Sequence, residues 1–233
     1  MLPLGLATTW AFGDFAGVRN TLTFYEADGQ TLTDLDGADY AAVDVSLDFS
    51  AENTEGYENI DTLLKRIRGA SFEATGFKLF NQSDTSGPSG SWLPQFSLDV
   101  PGTSISNIDS FLTIGGEVGA LAADNSTIFT GSAWGDASGP TIFNRGNLRW
   151  ANYDIPQTEL DSTLLIWIGR FVVSGEEARN GASFSISGDA DYNYGPGTAM
   201  SMAPFEADII FTPAPGALVL LGLGGVVNRR RRN

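Results

Sequence analysis

Residues 189–193 carry a dense pattern of oxygen donors. Asp189, Asp191 and Asn193 present carboxylate or amide oxygens at every second position, and Gly195 follows. Calcium takes about six to eight oxygens, and a turning loop can bring several of them together. A calcium loop of this spacing also needs Gly at its sixth position and a bidentate Glu at its twelfth. Tyr194 and Met200 stand there instead. The rival reading is a strand or turn whose Asp side chains are solvated, and it has the greater weight. Asp34, Asp36 and Asp39 around Gly37 pose the same choice, since Asp and Gly are also ordinary turn residues that bond their own backbone.

Other chemistry is limited by what the chain lacks. It has no His and no Cys. No imidazole or thiolate zinc site can exist, and no Ser-His-Asp or Cys-His nucleophile can be assembled. Paired carboxylates could run glycoside hydrolysis. With 28 Asp and Glu, however, nothing marks one pair out. Trp92, Trp134 and Trp150 lie in loop-like contexts, where a Trp either packs under the loop or offers a stacking platform to a sugar. Trp167 sits in an apolar run and reads as core. Gly115-Gly116 and Gly224-Gly225 fit neither the dinucleotide nor the Walker spacing.

These residues must be held by a mainly β framework. The chain has 233 residues, 42% of them apolar and 18% charged, enough for one large domain with a real core. Strict alternation over 42–49 predicts a half-buried strand, with Val43, Val45, Leu47 and Phe49 inward and Asp44, Ser46 and Asp48 outward. The run 164–173, broken only by Gly169 and Arg170, predicts a central strand buried on most of both sides. Further strands are expected at 21–26, 110–114, 126–129, 182–187 and 207–211. Ile60, Leu63, Leu64 and Ile67 have helical spacing, yet Leu63, Lys65 and Ile67 also fit a strand, so periodicity leaves 60–67 open. Loops rich in Gly, Ser, Asp and Pro separate these segments, and no fixed-period repeat appears. The expected architecture is one antiparallel β-sandwich, jelly-roll-like, over 12–211, followed by a short hydrophobic helix at the C-terminus.

The formal charge is −15, and −19 once Arg229, Arg230, Arg231 and Arg232 are set aside. Such a body repels phosphate backbones, which argues against nucleic acid as a partner. The last stretch, 212–233, has three parts in order. Pro213-Ala214-Pro215 is stiff and extended, with two fixed φ angles and two missing N–H donors. An uncharged, apolar and Gly-rich run continues to Asn228. Four Arg then form a positive-inside stop. The run is shorter than the roughly 20 residues of a comfortable membrane span, which suits a transient anchor.

That order of parts resembles the PEP-CTERM sorting signal of exported bacterial proteins, with Ala214 in place of the usual Glu. The resemblance covers 213–233 and implies recognition by an exosortase-type membrane transpeptidase, with cleavage near Pro213 to Pro215. Ala42-Val43-Asp44-Val45, Ser91-Trp92-Leu93-Pro94 and 109–116 are similar to segments of an uncharacterised, planctomycete-like group of such proteins. That group has no established activity to carry over. A sorting tail calls for a secretory signal at the other end. Residues 1–11, with small residues at Thr9 and Ala11, read as the remnant of a truncated signal peptide; the rival reading has Trp10 and Phe12 opening the first strand. The expected role is structural or adhesive, at the cell surface or in the extracellular matrix, with extracellular polysaccharide as a possible contact. A carbohydrate-binding module is the first alternative, and a carboxylate-dependent hydrolase the second.

Overall fold

The structure is a computed structural model that describes residues 15–52, 56, 58, 63–74, 77, 79–80, 101–102, 106–114, 127–130, 142–152, 164–194 and 197–211. The described chain is mainly β. Its strands are β1 (Gly17–Tyr25), β2 (Tyr40–Asp48), β3 (Leu63–Ala74), β4 (Phe111–Leu112), β5 (Thr127–Thr130), β6 (Ile142–Asn152), β7 (Leu165–Ser174), β8 (Ser183–Asn193) and β9 (Ser201–Ile210). A five-residue helix, α1 (Gly175–Arg179), joins β7 to β8. Every pairing is antiparallel. One sheet has the order β1-β2-β7-β4 and the other β5-β6-β3-β8-β9, and neither closes into a barrel.

One hydrophobic cluster draws on both sheets. Val43, Val45 and Leu47 of β2 and Ile166, Ile168, Phe171 and Val173 of β7 join Leu64 and Ile67 of β3, Phe184, Ile186 and Tyr192 of β8, and Phe205 and Ile209 of β9. The rings of Phe171 and Phe184 lie 4.8 Å apart, and those of Phe49 and Tyr192 5.1 Å. Burying a side chain of this size stabilises by about 1.5–3 kcal/mol. Phe211, immediately after β9, is buried, and its N–H donates to the Ala182 carbonyl at 3.1 Å.

The open reading of 60–67 resolves as strand over its described part. Leu64 pairs with Tyr192 and Ile67 with Ala190, so β3 advances three residues while β8 advances two. A β-bulge inserts that extra residue. It lets Leu64 and Ile67 both face the core at i, i+3, the spacing a helix would also give. A second register shift, between Arg68 and Ser71, brings Ala70 inward as well, with Gly69 at φ +60° between them.

The outward face of β2 is not solvated, which corrects the half-buried expectation. Asp44 is 6% exposed and Asp48 3%. A second cluster covers this side: Tyr25, Ala42, Ile108 and Val172, with Tyr40 and Phe80 packed against it. Arg170 lies opposite Asp44 in the β2–β7 register. It donates from Nε to Asp44 Oδ1 at 2.7 Å and from Nη2 to Oδ2 at 2.8 Å, a bidentate pair. Its Nη1 donates to Asn107 Oδ1 at 3.1 Å, and Asn107 Nδ2 donates to the Gly29 carbonyl at 2.9 Å. The guanidinium carbon sits 5.6 Å from the Trp167 ring centre, within cation–π range. Trp167 is buried, as expected, with its ring and that of Phe111 5.3 Å apart in a T-shaped contact. Gly169 permits this approach, because a Cβ there would lie 2.9 Å from the Phe111 carbonyl oxygen.

Helix α1 is set by its cap. Ser174 Oγ accepts from Glu177 N–H, and Glu177 Oε2 accepts from Ser174 N–H, a complete capping box. Gly175 is required where the helix meets the 33–39 turn, since a Cβ would fall 1.8 Å from the Ala38 carbonyl oxygen. Among the described residues no helix is long and apolar enough to cross a membrane, and 1–14 and 212–233 lie outside them.

Removing one partner of a buried ion pair leaves an uncompensated charge, at a cost of about 3–5 kcal/mol. Arg170→Met should therefore lower the unfolding free energy by roughly that amount in urea titration. The double variant Arg170→Met, Asp44→Leu should recover part of it, because no charge is then left buried. A loss that adds fully across the two sites would show that the residues do not act as a pair.

Candidate functional site

Asp189, Asp191 and Asn193 lie along β8, in a regular strand rather than a turning loop. Successive side chains of a strand point to opposite faces. Ala190 and Tyr192 therefore enter the core, while the three oxygen-bearing residues share the opposite face at about 6–7 Å per step. The strand does not bring them to one point. Asp191 is 2% exposed and already held by two guanidinium groups. Arg66 Nε donates to its Oδ2, and Arg68 Nε donates to its Oδ1 at 3.1 Å. Arg66 is the direct partner of Asp191 across β3–β8, which is why the two meet. A carboxylate flanked by two cations is a poor ligand for a third. Among the described residues no group of three or more acidic side chains could hold a metal ion.

The other acidic cluster also serves the backbone. Asp34 Oδ1 accepts from Gly37 N–H at 3.0 Å. Arg179 donates to the carbonyls of Leu35 and Ala38 at 3.0 and 2.9 Å, so the turn is clamped to α1. Asp36 and Asp39 are exposed around that clamp, and Asp39 contributes its carbonyl to Gly175 N–H. Trp150 stands in β6, opposite Ile67, and not in a loop. Trp92 and Trp134 lie outside the described residues, as do Pro213, Ala214, Pro215 and Arg229 to Arg232.

Beside Arg68 the outer face of the five-stranded sheet dips into an open depression of about 380 Å³, lined in part by Gly69, Ser187, Asp189, Pro204 and Glu206. Gly69 in the bulge has no side chain to fill it. The depression offers a hydroxyl and two carboxylates, which suit hydrogen bonds to a polar ligand. The acidity of Asp28 and of Asp48 is shifted, in both cases to lower pKa. Three hydrogen bonds hold Asp28 low, two from Thr31 and one from Gln30. Burial works against the charged form of Asp48, but bonds from Ser50 and Arg19 together outweigh it. A general acid for glycoside cleavage needs the opposite shift.

No family model, no curated protein and no solved structure matches the chain.

The site therefore rests on its own residues. The Arg66 and Arg68 partners of Asp191 were missed in the sequence because the bulge hides the period-2 alternation that would have aligned them. Arg170 did leave a signal. A lone cation inside an apolar run demands a buried acceptor, and Asp44 stood on the neighbouring strand.

Asp191→Ala should lower stability by about 1–3 kcal/mol, the range for charge-assisted bonds whose Arg partners can return to water. Calcium at millimolar concentration should leave the melting temperature of the wild-type chain unchanged. A rise with calcium that Asp191→Ala abolishes would contradict this account of the carboxylate.

Proposed function

We propose that this chain is an exported bacterial envelope protein whose body is a two-sheet, jelly-roll-like β-sandwich with a structural or adhesive role. The tail 212–233 is its sorting signal, read by an exosortase-type transpeptidase and cut near Pro213 to Pro215. The observation that carries this reading is how close to the tail the described core reaches. Phe211 packs against Phe184 and Phe77, at ring distances of 5.9 and 6.2 Å, and the stiff Pro213-Ala214-Pro215 segment begins two residues later. Proline favours extended backbone, the form a processing enzyme can read.

Two further observations support the reading. The shared cluster of apolar side chains from both sheets supports the sandwich, and the chain crosses between the sheets at β2–β3, β3–β4, β4–β5, β6–β7 and β7–β8, as a jelly-roll-like winding requires. Three buried carboxylates are engaged within the fold: Asp44 with Arg170, Asp48 with Arg19, and Asp191 with Arg66 and Arg68. That use of charge suits a scaffold better than a reaction centre.

Intact mass spectrometry of the protein recovered from the native cell surface tests the proposal. The expected species lacks residues 1–11 and ends near Pro213. Replacing Arg229 to Arg232 with Ala should release the precursor from the membrane fraction. A full-length mass confined to the cytoplasm, or unchanged fractionation of the Arg variant, would overturn the sorting role.

A further inference from the structure

An unpaired sheet edge is a template for another strand, and proteins usually blunt it with shortness, Pro, charge or a covering segment. Three of the four described edges are blunted. β4 is two residues long, and beyond it Phe80 and Thr113 donate to the Val172 and Ile168 carbonyls while Ser110 Oγ accepts from Val172 N–H. β5 is four residues long. β9 carries Pro204, which has no N–H, together with exposed Glu206 and Asp208.

Among the described residues β1 carries only one of these devices, the charge of Arg19, and that charge is paired with Asp48. The strand runs nine residues in unbroken register with β2, without Pro, Lys, acidic residue or bulge. Its far end is met by the chain itself, where Thr33 N–H donates to the Phe24 carbonyl and Leu32 bridges Tyr25. From Gly17 to Thr23 no described residue pairs along the outer edge.

We propose that this edge is a self-association site, at which β1 of a second copy of this chain pairs antiparallel about a two-fold axis at Asn20. The stretch Gly17–Thr23 is self-complementary in that register. Val18 faces Leu22 of the other copy, Arg19 faces Thr21, and Gly17 faces Thr23. The apolar row that Val18 and Leu22 already contribute to the core continues across the junction. No like charges stand directly opposite, which would be destabilising. The one charged residue of β1 is Arg19, which is paired with Asp48, so the strand itself adds no net like charge at the junction. A symmetric contact of this kind closes on itself as a dimer and joins the two four-stranded sheets into one. It rests on the described strands alone and holds whether or not the tail is a sorting signal.

Sedimentation velocity on the full chain is the test. The wild type should sediment as a dimer at micromolar concentration. Asn20→Lys, which sets two cations face to face across the axis, should weaken the dimer at least tenfold with an unchanged far-UV CD spectrum. Because the chain lacks Cys, Asn20→Cys gives an independent readout. Paired strands bring facing Cα atoms to about 4.5–5.5 Å, within disulfide range, so mild oxidation should yield a covalent dimer while Glu206→Cys stays monomeric. A wild type that remains monomeric, a dimer that survives Asn20→Lys, or cross-linking at Glu206→Cys but not at Asn20→Cys would overturn the proposal.

Discussion

The salt bridge between Arg170 and Asp44 governs how the four-stranded sheet is built. Two charges at the centre of β2 and β7 cannot be left in an apolar layer unless each finds its partner in good geometry. Burial alone would favour the neutral guanidine, but the hydrogen bonds and charge of Asp44 outweigh it and hold Arg170 firmly protonated. The pair also dictates what covers it. Asn107 must reach the third donor nitrogen, Trp167 must lie beside the cation, and Tyr25, Ile108 and Phe80 must close the apolar surround. The phenol of Tyr25 is pushed to higher pKa, chiefly by that burial. The result is a sheet with two buried faces. One is packed on the shared core, and the other lies beneath the segment that carries Phe80 and 106–110.

Much of the framework was legible in the sequence because it follows period 2. The alternation of β2, the apolar run of β7, the end of β1 and the start of β8 came directly from side-chain pattern. What escaped has identifiable physical causes. The bulges in β3 gave a strand the spacing of a helix. Asp44 and Asp48 looked solvated because polarity alone does not reveal a second covering layer. The Asp189–Asn193 pattern left a calcium loop and a strand both open because oxygen donors at every second position suit both a cation and the polar face of a strand. Only the pairing of β8 with β3, which sets Arg66 opposite Asp191, separates the two. β9 began earlier than expected because Pro204 reads as a strand breaker, although an edge strand tolerates it.

These features combine into a body that pairs Asp44, Asp48 and Asp191 with its own Arg residues and whose described core reaches Phe211, two residues before Pro213. In the proposed role this division matters. A scaffold that is complete before the tail can be carried to the membrane, released and assembled without refolding.

The separation of body from tail is the central claim, and equilibrium unfolding of a chain stopped after Phe211 tests it most directly. The account predicts the same denaturation midpoint and the same cooperativity as the full chain, with β9 amides equally protected from hydrogen exchange. A lowered midpoint with loss of cooperativity would show that 212–233 belongs to the core and would contradict the account.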